Sequence, residues 1–506
     1  MIGKITIRTR ELPNDEEVQI KFIFKNFLKD DPVIKSLPEK TFQKLQKRIT
    51  KHNFIGNKNE IITIENDSSP EEFFLAGAGK KSEFNLTLFR DLLADVLRAV
   101  AVKKYNKADL FYFNELGLDY FEIGKNLSLS FYLANYDFDK FKGIEAKKKI
   151  KHLEELNFVV GTDEKNINKL EEGINLGKLI AEGIYLARNL INEPASHVHP
   201  ATLVKEAFKI EKESKGKIKV EILDKDECQR LGMGAFLGVA AGSDKEPKFI
   251  ILKYKNPQSV IRNSKSICLI GKSITFDSGG LSLKPSSGME DMKIDMAGGA
   301  TVLAVFQILS GLSLDHEVYG ILPACENMPS GRAIKPGDIV TALNGKTIEV
   351  LNTDAEGRLA LADALSYTEK CLKADYMIDI ATLTGACRVA LGADITAVIG
   401  NDRKFINDFI DSAKAENEQI WELPLYKQYL EHMKGEITDL KNVGGGKGAG
   451  TITAALFLSE FVEKSKWLHL DIAGSAFRTE KSKGVISKGA TGWGVLTILK
   501  FLTNYL

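Results

Sequence analysis

Several nearly continuous apolar runs in the later part of the chain constrain its fold more than any other feature. They alternate with helical patterns and lie at 217–223, 248–254, 266–272, 318–324, 374–385 and 466–474. A strand that is apolar on both sides must be covered on both faces of its sheet. Covering helices are predicted at 298–312, 359–372 and 451–464. The sequence therefore predicts an α/β fold, and sheets of this kind bind ligands at their strand ends.

A second, smaller α/β domain is predicted at residues 1–164. There, short apolar runs alternate with amphipathic ones, and 84–105 has the one-sided apolar pattern of a long helix. A long helical pattern at 165–190 links this domain to the larger one, which we place at 191–506.

The overall composition argues against several classes of protein. The chain carries 69 Lys and Arg against 68 Asp and Glu, so its bulk charge indicates neither nucleic acid nor an anionic membrane as a partner. Its five cysteines are scattered and form no C-x-x-C pair, which argues against a disulfide framework or a zinc knuckle. The first 17 residues lack the apolar core of a signal peptide, and no apolar run approaches transmembrane length. We expect a cytoplasmic protein without a membrane segment.

The polar stretch with the most chemical information is Asn-Thr-Asp-Ala-Glu-Gly-Arg-Leu at 352–359. It follows two β-prone runs joined by an Asn-Gly turn and precedes a helical pattern, which predicts an exposed elbow between a hairpin and a helix. In an extended segment alternate side chains share one face, so Asp354, Glu356 and Arg358 would point the same way. Two crowded carboxylates repel unless one is protonated or a cation lies between them. A solvated loop with an internal salt bridge is the alternative interpretation.

A second polar cluster lies in the glycine-rich segment 271–300, directly after a predicted strand. Its charged residues include Lys272, Asp277, Lys284 and Asp295. A loop of this length inside an α/β domain is uncommon unless it is functional. A flexible surface loop with solvated charges is the alternative interpretation.

Together the two clusters offer carboxylates in the number that suits two divalent cations about 3.5–4 Å apart. A lysine beside such carboxylates has two plausible roles. It can lose its proton and act as a nitrogen ligand, or it can stay charged and polarise a substrate carbonyl. The residues alone indicate a two-metal hydrolase and leave peptidase and phosphoesterase chemistry both open.

These residues resemble the leucyl aminopeptidase family, the dinuclear-zinc cytosol aminopeptidases, over about residues 165–506. The motifs that carry the resemblance lie at 271–280, 281–296, 352–359, 381–386, 448–458 and 469–474. The resemblance implies a smaller, macro-like N-terminal α/β domain. It also implies a C-terminal mixed-sheet α/β metallopeptidase domain, covered by helices on both faces, and a homo-hexameric assembly.

The resemblance further implies a role for each charged residue of the two clusters. Ligands of the tighter metal would be Lys272, Asp277, Asp295 and Glu356. Ligands of the more exchangeable metal would be Asp277, Asp354 and Glu356, with the Asp354 backbone carbonyl added. Both metals would be zinc or manganese, with magnesium or cobalt as further options at the exchangeable site. Lys284 would face the scissile carbonyl, and Arg358 would hold a bicarbonate ion that acts as the general base.

The implied activity is the release of N-terminal amino acids from peptides with a free N-terminus, with a metal-bridging hydroxide as the nucleophile. The pocket for the first side chain would be lined by Met292, Thr382, Gly385, Ala473 and Ala476. These residues are apolar or small, which predicts a preference for Leu and Met over charged side chains. Nucleic-acid binding, alongside or instead of peptidase activity, is the alternative function. Lysines balanced by Asp and Glu in most windows do not favour it.

The resemblance also predicts an alkaline pH optimum. In the family the substrate's α-amine binds a metal, and it must be neutral to do so, whereas an α-amine has a pKa of about 7.7–8.0. The kcat/KM for an aminoacyl amide should therefore rise between about pH 7 and 9 with the fraction of neutral amine. An N-acetylated substrate is the control and should not be hydrolysed at any pH. A profile that peaks near about pH 6 would contradict amine binding.

Overall fold

A mixed nine-stranded sheet forms the centre of the larger of two structural units. The computed structural model describes residues 3–8, 18–25, 39–65, 72–112, 117–259, 265–446 and 448–505. The first unit comprises 1–182 and 480–487, and the second comprises 183–479 and 488–506. The change between them falls inside the helix Glu164–Asn192. The domain boundaries predicted from the sequence lie after residues 164 and 190, whereas the structural units change after residue 182. The predicted boundaries stay predictions.

The first unit is an α/β structure, as the sequence predicts. Its strands are β1 (Lys4–Arg8), β2 (Val18–Phe24), β3 (Ile61–Glu65), β4 (Glu72–Gly79), β5 (Lys107–Tyr112) and β6 (Glu155–Val160). They are ordered β1-β6-β5-β2-β4-β3, and all neighbours are parallel except β3 and β4. Its helices are α1 (Glu39–His52), α2 (Leu86–Val102), α3 (Tyr120–Ala134), α4 (Ile144–Lys149) and the first part of α5 (Glu164–Asn192). All residues of β6 are buried, so both of its faces are covered.

The second unit contains the sheet predicted from the apolar runs. Its strands are β7 (Ile218–Leu223), β8 (Lys248–Tyr254), β9 (Ser266–Gly271), β10 (Ser273–Asp277), β11 (Glu317–Asn327), β12 (Ile339–Thr341), β13 (Thr347–Glu349), β14 (Tyr376–Ala381), β15 (Thr396–Gly400), β16 (Ile420–Glu422), β17 (Leu440–Lys441), β18 (Lys466–Asp471), β19 (Phe477–Arg478) and β20 (Gly489–Ala490). The main sheet is ordered β16-β15-β18-β14-β9-β11-β8-β7, with β10 also paired to β11. Its central neighbours are parallel, while β15 with β18, β11 with β8 and β7 with β8 are antiparallel.

Helices and short helical turns surround this sheet. The helices are α6 (Pro200–Glu213), α7 (Lys225–Leu231), α8 (Gly234–Ala240), α9 (Ser286–Met289), α10 (Ala297–Gly311), α11 (Glu356–Tyr367), α12 (Gly385–Leu391), α13 (Arg403–Ala415), α14 (Gly450–Ser459) and α15 (Val495–Asn504). A 3-10 helix at Met292–Met296 leads into α10. Strand β14 ends at Ala381, earlier than predicted, because Thr384 accepts a hydrogen bond from the Cys387 N–H and caps α12.

Strand β11 shows that helices cover the sheet on both faces. A Cβ atom added at Gly320 would lie 2.6 Å from Phe306 of α10. The residues on either side of it, Tyr319 and Ile321, belong instead to a buried cluster with residues of α8 and α11. Successive side chains of a strand point to opposite faces, so α10 lies on one face and α8 and α11 lie on the other. The predicted fold class is confirmed.

The polar stretch at 352–359 departs from its predicted shape. The hairpin before it is present as β12 and β13, but α11 begins at Glu356, three residues earlier than predicted. The N–H of Asp354 donates to Asn352 Oδ1 at 2.9 Å, and this local bond favours a turn over an extended strand. The extended interpretation is therefore wrong. The elbow is not exposed either, since Thr353 and Glu356 are buried.

One apolar stretch among the described residues, Ser286–Gly311, has the length and composition of a membrane-crossing helix. Within it, 78% of the most apolar window is buried inside the fold. Non-helical backbone at Ser287 and Gly288 also interrupts it. Its longest part, α10, packs against the central sheet, so we interpret the stretch as a core helix.

Gly298 lies where α10 closely approaches the sheet. A Cβ atom at this position would lie 1.9 Å from the backbone oxygen of Ile380. Gly298→Ala should therefore lower the free energy of unfolding of this unit by roughly 3 kcal/mol or more, because backbone must move to admit the methyl group. The midpoint of thermal unfolding measures the effect. Gly331→Ala is the matched control, since a Cβ there meets nothing within 4 Å, and equal midpoints in the two variants would contradict this packing.

Candidate active site

The charged residues of both predicted clusters meet at one edge of the main sheet. Lys272 directly follows β9, Asp277 ends β10 and Glu356 begins α11. Asp295 lies in the 3-10 helix before α10, and Lys284 lies in the loop after β10. The carboxyl ends of neighbouring parallel strands share an edge of the sheet, which is why segments far apart in the sequence converge here.

Lys272 pairs with carboxylates from both clusters. Its Nζ lies 2.9 Å from Asp295 Oδ1 and 2.7 Å from Glu356 Oε1, and it donates to the Thr382 carbonyl at 3.1 Å. A Cβ at position 357 would lie 2.5 Å from the lysine Cε, so Gly357 makes room for this side chain. Burial by itself lowers the pKa of Lys272, but Asp295 and Glu356 outweigh it and raise the pKa above its usual value.

Lys284 holds the other side of the cluster. Its Nζ lies 2.8 Å from Asp277 Oδ2 and also contacts Asp354 Oδ1. The second oxygen of Asp277 accepts hydrogen bonds from the Gly279 N–H and from Asn327 Nδ2, each at 2.9 Å. Burial lowers the pKa of Lys284, but the charges and hydrogen bonds of the neighbouring carboxylates together raise it by more, so the ammonium group stays protonated.

The carboxylates retain capacity for further cations. Asp277, Asp354 and Glu356 each offer a ligand oxygen within 4.8 Å of the others. Glu356 Oε2 and Asp295 Oδ2 are buried, and neither has a hydrogen-bond partner among the described residues. Burial raises the pKa of Asp295 well above its usual value and also raises that of Asp354, which is the expected response to crowded, uncompensated charge. Four carboxylates beside two ammonium groups therefore fit a divalent metal centre.

Arg358 is held by a backbone carbonyl and not by the neighbouring carboxylates. Its Nη1 donates to the Asn442 carbonyl oxygen at 2.6 Å, and within the described ranges it forms no ion pair with Asp354 or Glu356. The alternative of a solvated loop with an internal salt bridge is thus wrong. Burial lowers the pKa of Arg358 to about 10, so the guanidinium stays charged at neutral pH.

The residues predicted to line the side-chain pocket come from three segments. Met292 opens the 3-10 helix, Thr382 and Gly385 follow β14, and Ala473 and Ala476 follow β18. Thr382 and Ala476 are buried, Met292 and Ala473 are half-buried, and Gly385 is exposed. The Thr382 hydroxyl donates to an oxygen of Asp295 at 2.7 Å, which joins one pocket segment to the carboxylate cluster.

Sequence reasoning missed three supporting polar residues. Asn327 bridges Asp277 Oδ1 and the Thr353 carbonyl at 2.9 Å each, and Asn442 supports Arg358. Asp471 bonds to the loop after β14. Asn327 and Asp471 each end a buried apolar strand, a position that is detectable in the sequence. Asn442 lies 84 residues from Arg358 and has no comparable local signal.

A mixed α/β sheet with carboxylates and lysines gathered at its strand ends fits a metal-dependent hydrolase. Residues 185–499 match the catalytic domain of the cytosol aminopeptidase family, and residues 22–144 match the N-terminal domain of that family. The chain therefore belongs to the cytosol aminopeptidase family, and it is a metallo-aminopeptidase. The family and the enzyme class predicted from the sequence motifs are confirmed.

Individual relatives agree with this assignment. A probable cytosol aminopeptidase of Alkaliphilus oremlandii is 42% identical over 457 residues, which cover 89% of each chain. A second, from Gloeobacter violaceus, is 52% identical over 329 residues, covering 65% of this chain and 64% of that protein.

Solved structures are similar over nearly the whole chain. A mutant of tomato leucine aminopeptidase has a TM-score of 0.87 at 32% identity, covering 99% of this chain and 97% of that one. The bottromycin maturation enzyme BotP in complex with Mn has a TM-score of 0.82 at 27% identity, covering 96% of this chain and 98% of that one. None of these names describes a nucleic-acid-binding protein, so the alternative function gains no support.

The site predicts different metal contents for ligand and non-ligand variants. Asp277→Ala and Glu356→Ala should each lose bound metal and at least about 100-fold in kcat, because each would remove an oxygen of the candidate metal group. Lys284→Ala is the matched control. It should retain metal while kcat falls, since it removes a charge and no ligand. Elemental analysis of purified variants measures metal per chain, and a metal-replete Glu356→Ala protein with normal turnover would contradict the assignment.

Proposed function

We propose that this protein is a two-metal aminopeptidase that releases N-terminal amino acids, with a preference for Leu and Met, from peptides with a free N-terminus. The observation that carries the proposal is the group of Asp277, Asp354 and Glu356, whose ligand oxygens lie within 4.8 Å of one another. The buried Lys272 and the half-buried Lys284 flank this group. Membership of the cytosol aminopeptidase family supports the peptide substrate class.

Each charged residue has a proposed place in the metal centre. Lys272, Asp277, Asp295 and Glu356 would hold the tighter ion, with Asp277, Asp354 and Glu356 holding the exchangeable one. When bound, divalent ions supply Lewis acidity and a lowered pKa for water. Zinc and manganese are the proposed metals, with magnesium or cobalt as options at the exchangeable site, and manganese is supported by the Mn named with BotP. Lys272 can act as a ligand only after it loses its proton, since its ammonium competes with metal for Asp295 and Glu356.

Lys284 is proposed to stabilise the transition state. Its ammonium group contacts Asp277 and Asp354, and its side chain is 18% exposed, so a substrate at the edge of the site can reach it. A positive charge held there would lie against the carbonyl oxygen of the scissile bond as that oxygen becomes negative. The bonds to Asp277 and Asp354 orient the amine before the substrate arrives.

Arg358 is proposed to hold an anion. Its bond to the Asn442 carbonyl fixes the direction of the guanidinium, and a planar guanidinium matches the oxygens of bicarbonate. Bicarbonate held there would serve as a proton acceptor near the metal group. Asn442 is itself fixed, because its amide donates to the Asn352 carbonyl at 2.6 Å and accepts from the Leu351 N–H at 2.9 Å.

The pocket is proposed to select by size and polarity. Its residues offer no carboxylate or guanidinium to pair with a charged substrate side chain. Burying a Leu side chain contributes roughly 1.5–3 kcal/mol to binding. Burying a charged Lys or Asp side chain without a partner costs several kcal/mol. We also propose a homo-hexamer in the cytoplasm, as the resemblance implies. The names of the curated relatives support the location.

Rates on a panel of aminoacyl amides test the preference. The kcat/KM for Leu and Met should exceed that for Lys and Asp by about 100-fold or more. Ala476→Met should lower the Phe-to-Leu ratio, because the larger side chain fills space that Phe would use. Ala201→Met, on the exposed side of α6, is the matched control and should leave that ratio unchanged. Faster cleavage of Asp or Lys than of Leu would refute the pocket, and hydrolysis of a phosphate ester alone would refute the peptidase.

A further inference from the structure

Asp471 is a fully buried carboxylate outside the candidate metal group of Asp277, Asp354 and Glu356. Its Oδ1 accepts hydrogen bonds from the backbone N–H groups of Leu383 and Ala473, each at 3.2 Å. Its Oδ2 accepts from the Thr384 hydroxyl at 2.6 Å. A single carboxylate thus bonds to two separate loops, the one after β14 and the one after β18.

These two loops carry most of the proposed pocket. Its members there are Thr382, Ala473 and Ala476, and Gly385 follows the first loop as the first residue of α12. The strands before the loops are neighbours, with Ala381 in register with Asp471. One further ladder bond follows, from the Ile472 N–H to the Ala381 carbonyl at 2.8 Å. Beyond that bond, the two loops are joined by their hydrogen bonds to the Asp471 carboxylate.

Thr384 extends this anchoring to neighbouring elements. Its hydroxyl contacts Thr451 Oγ1, in the first turn of α14, at 2.9 Å. The same hydroxyl accepts from the Cys387 N–H at 3.1 Å and caps α12. Two residues earlier, Thr382 bonds to Asp295. The loop therefore lies between the carboxylate cluster and α14, and its position affects the shape of the pocket.

We propose that Asp471 is a positioning residue that sets the width of the pocket for the first substrate side chain. The inference rests on the proposed function, since it requires that these loops line that pocket. Asp471 acts through the loops and not on the substrate. A leucine side chain fills the pocket and an alanine side chain does not, so release of the loops should affect leucyl substrates far more than alanyl ones.

Two variants weaken the anchor at different points. Asp471→Asn keeps one acceptor for the backbone N–H groups and replaces the acceptor for the Thr384 hydroxyl with a donor. Thr384→Val removes the hydroxyl and keeps the β-branched shape, so it serves if the Asp471 variant fails to fold. In both, the ratio of kcat/KM for leucyl to alanyl 4-nitroanilide should fall about 10-fold, with the alanyl value and metal content within about 2-fold of the parent.

Rescue and a control variant separate positioning from general destabilisation. Thr384→Ser restores the hydroxyl and should return the ratio to within about 2-fold of the parent. Asp379→Asn is the control, because Asp379 is a buried carboxylate of β14 that bonds to His469 and Trp467 instead of the loops. It should lower the unfolding temperature without changing the ratio.

Each outcome decides between the two proposals. Suppose that the parent protein prefers the leucyl anilide and that the variants keep the parent's leucyl-to-alanyl ratio of kcat/KM, with or without equal losses on both substrates. That result would overturn the role of Asp471 and leave the proposed function standing. A parent with no preference for leucine over alanine would overturn the proposed pocket and this role with it. A parent that cleaves neither anilide would overturn the proposed function.

Discussion

Burial of three carboxylates, with a fourth half-buried beside them, at one edge of a sheet is the constraint on which the rest of the second unit depends. Carboxylates removed from water are costly unless cations or hydrogen-bond donors meet them. Lys272 and Lys284 provide two cations, and Asn327 donates to the oxygen of Asp277 that faces away from Lys284. Four carboxylates against two ammonium groups leave negative charge in excess, and this excess is the physical reason that the edge suits divalent metals. A metallo-aminopeptidase requires such a site.

Gathering these groups requires backbones to approach more closely than side chains usually allow. Gly298 lies against the Ile380 carbonyl where α10 meets the sheet, and Gly357 leaves space for the stem of Lys272. Gly279 and Gly280 adopt positive φ angles of 87° and 65°, which turn the chain sharply after Asp277. These glycines place lysines and carboxylates within hydrogen-bond distance of one another.

The carboxylate cluster and the proposed pocket are connected by hydrogen bonds through the loop after β14. Thr382 donates to Asp295, a carboxylate of the cluster, and accepts from Lys272 through its carbonyl. Asp471 then joins the same loop to the loop after β18. A substitution at Thr382 therefore acts on both the carboxylate cluster and the proposed pocket. We therefore expect a change at Thr382 to alter selectivity and metal binding together. A change at Ala476 should alter selectivity alone.

The sequence by itself determined six strands of the main sheet, three of its covering helices and the charged clusters, because buried strands need continuous apolar runs and the charged residues stand in short motifs. It misjudged the shape around Asp354, where one side-chain bond from Asn352 turns the chain early into α11. Only the tertiary structure decided which groups meet. Asn442 reaches Arg358 across 84 residues, and Asp471 reaches Thr384 across 87. Such contacts depend on strand order and loop direction, which the pairing of whole strands sets and local sequence does not encode.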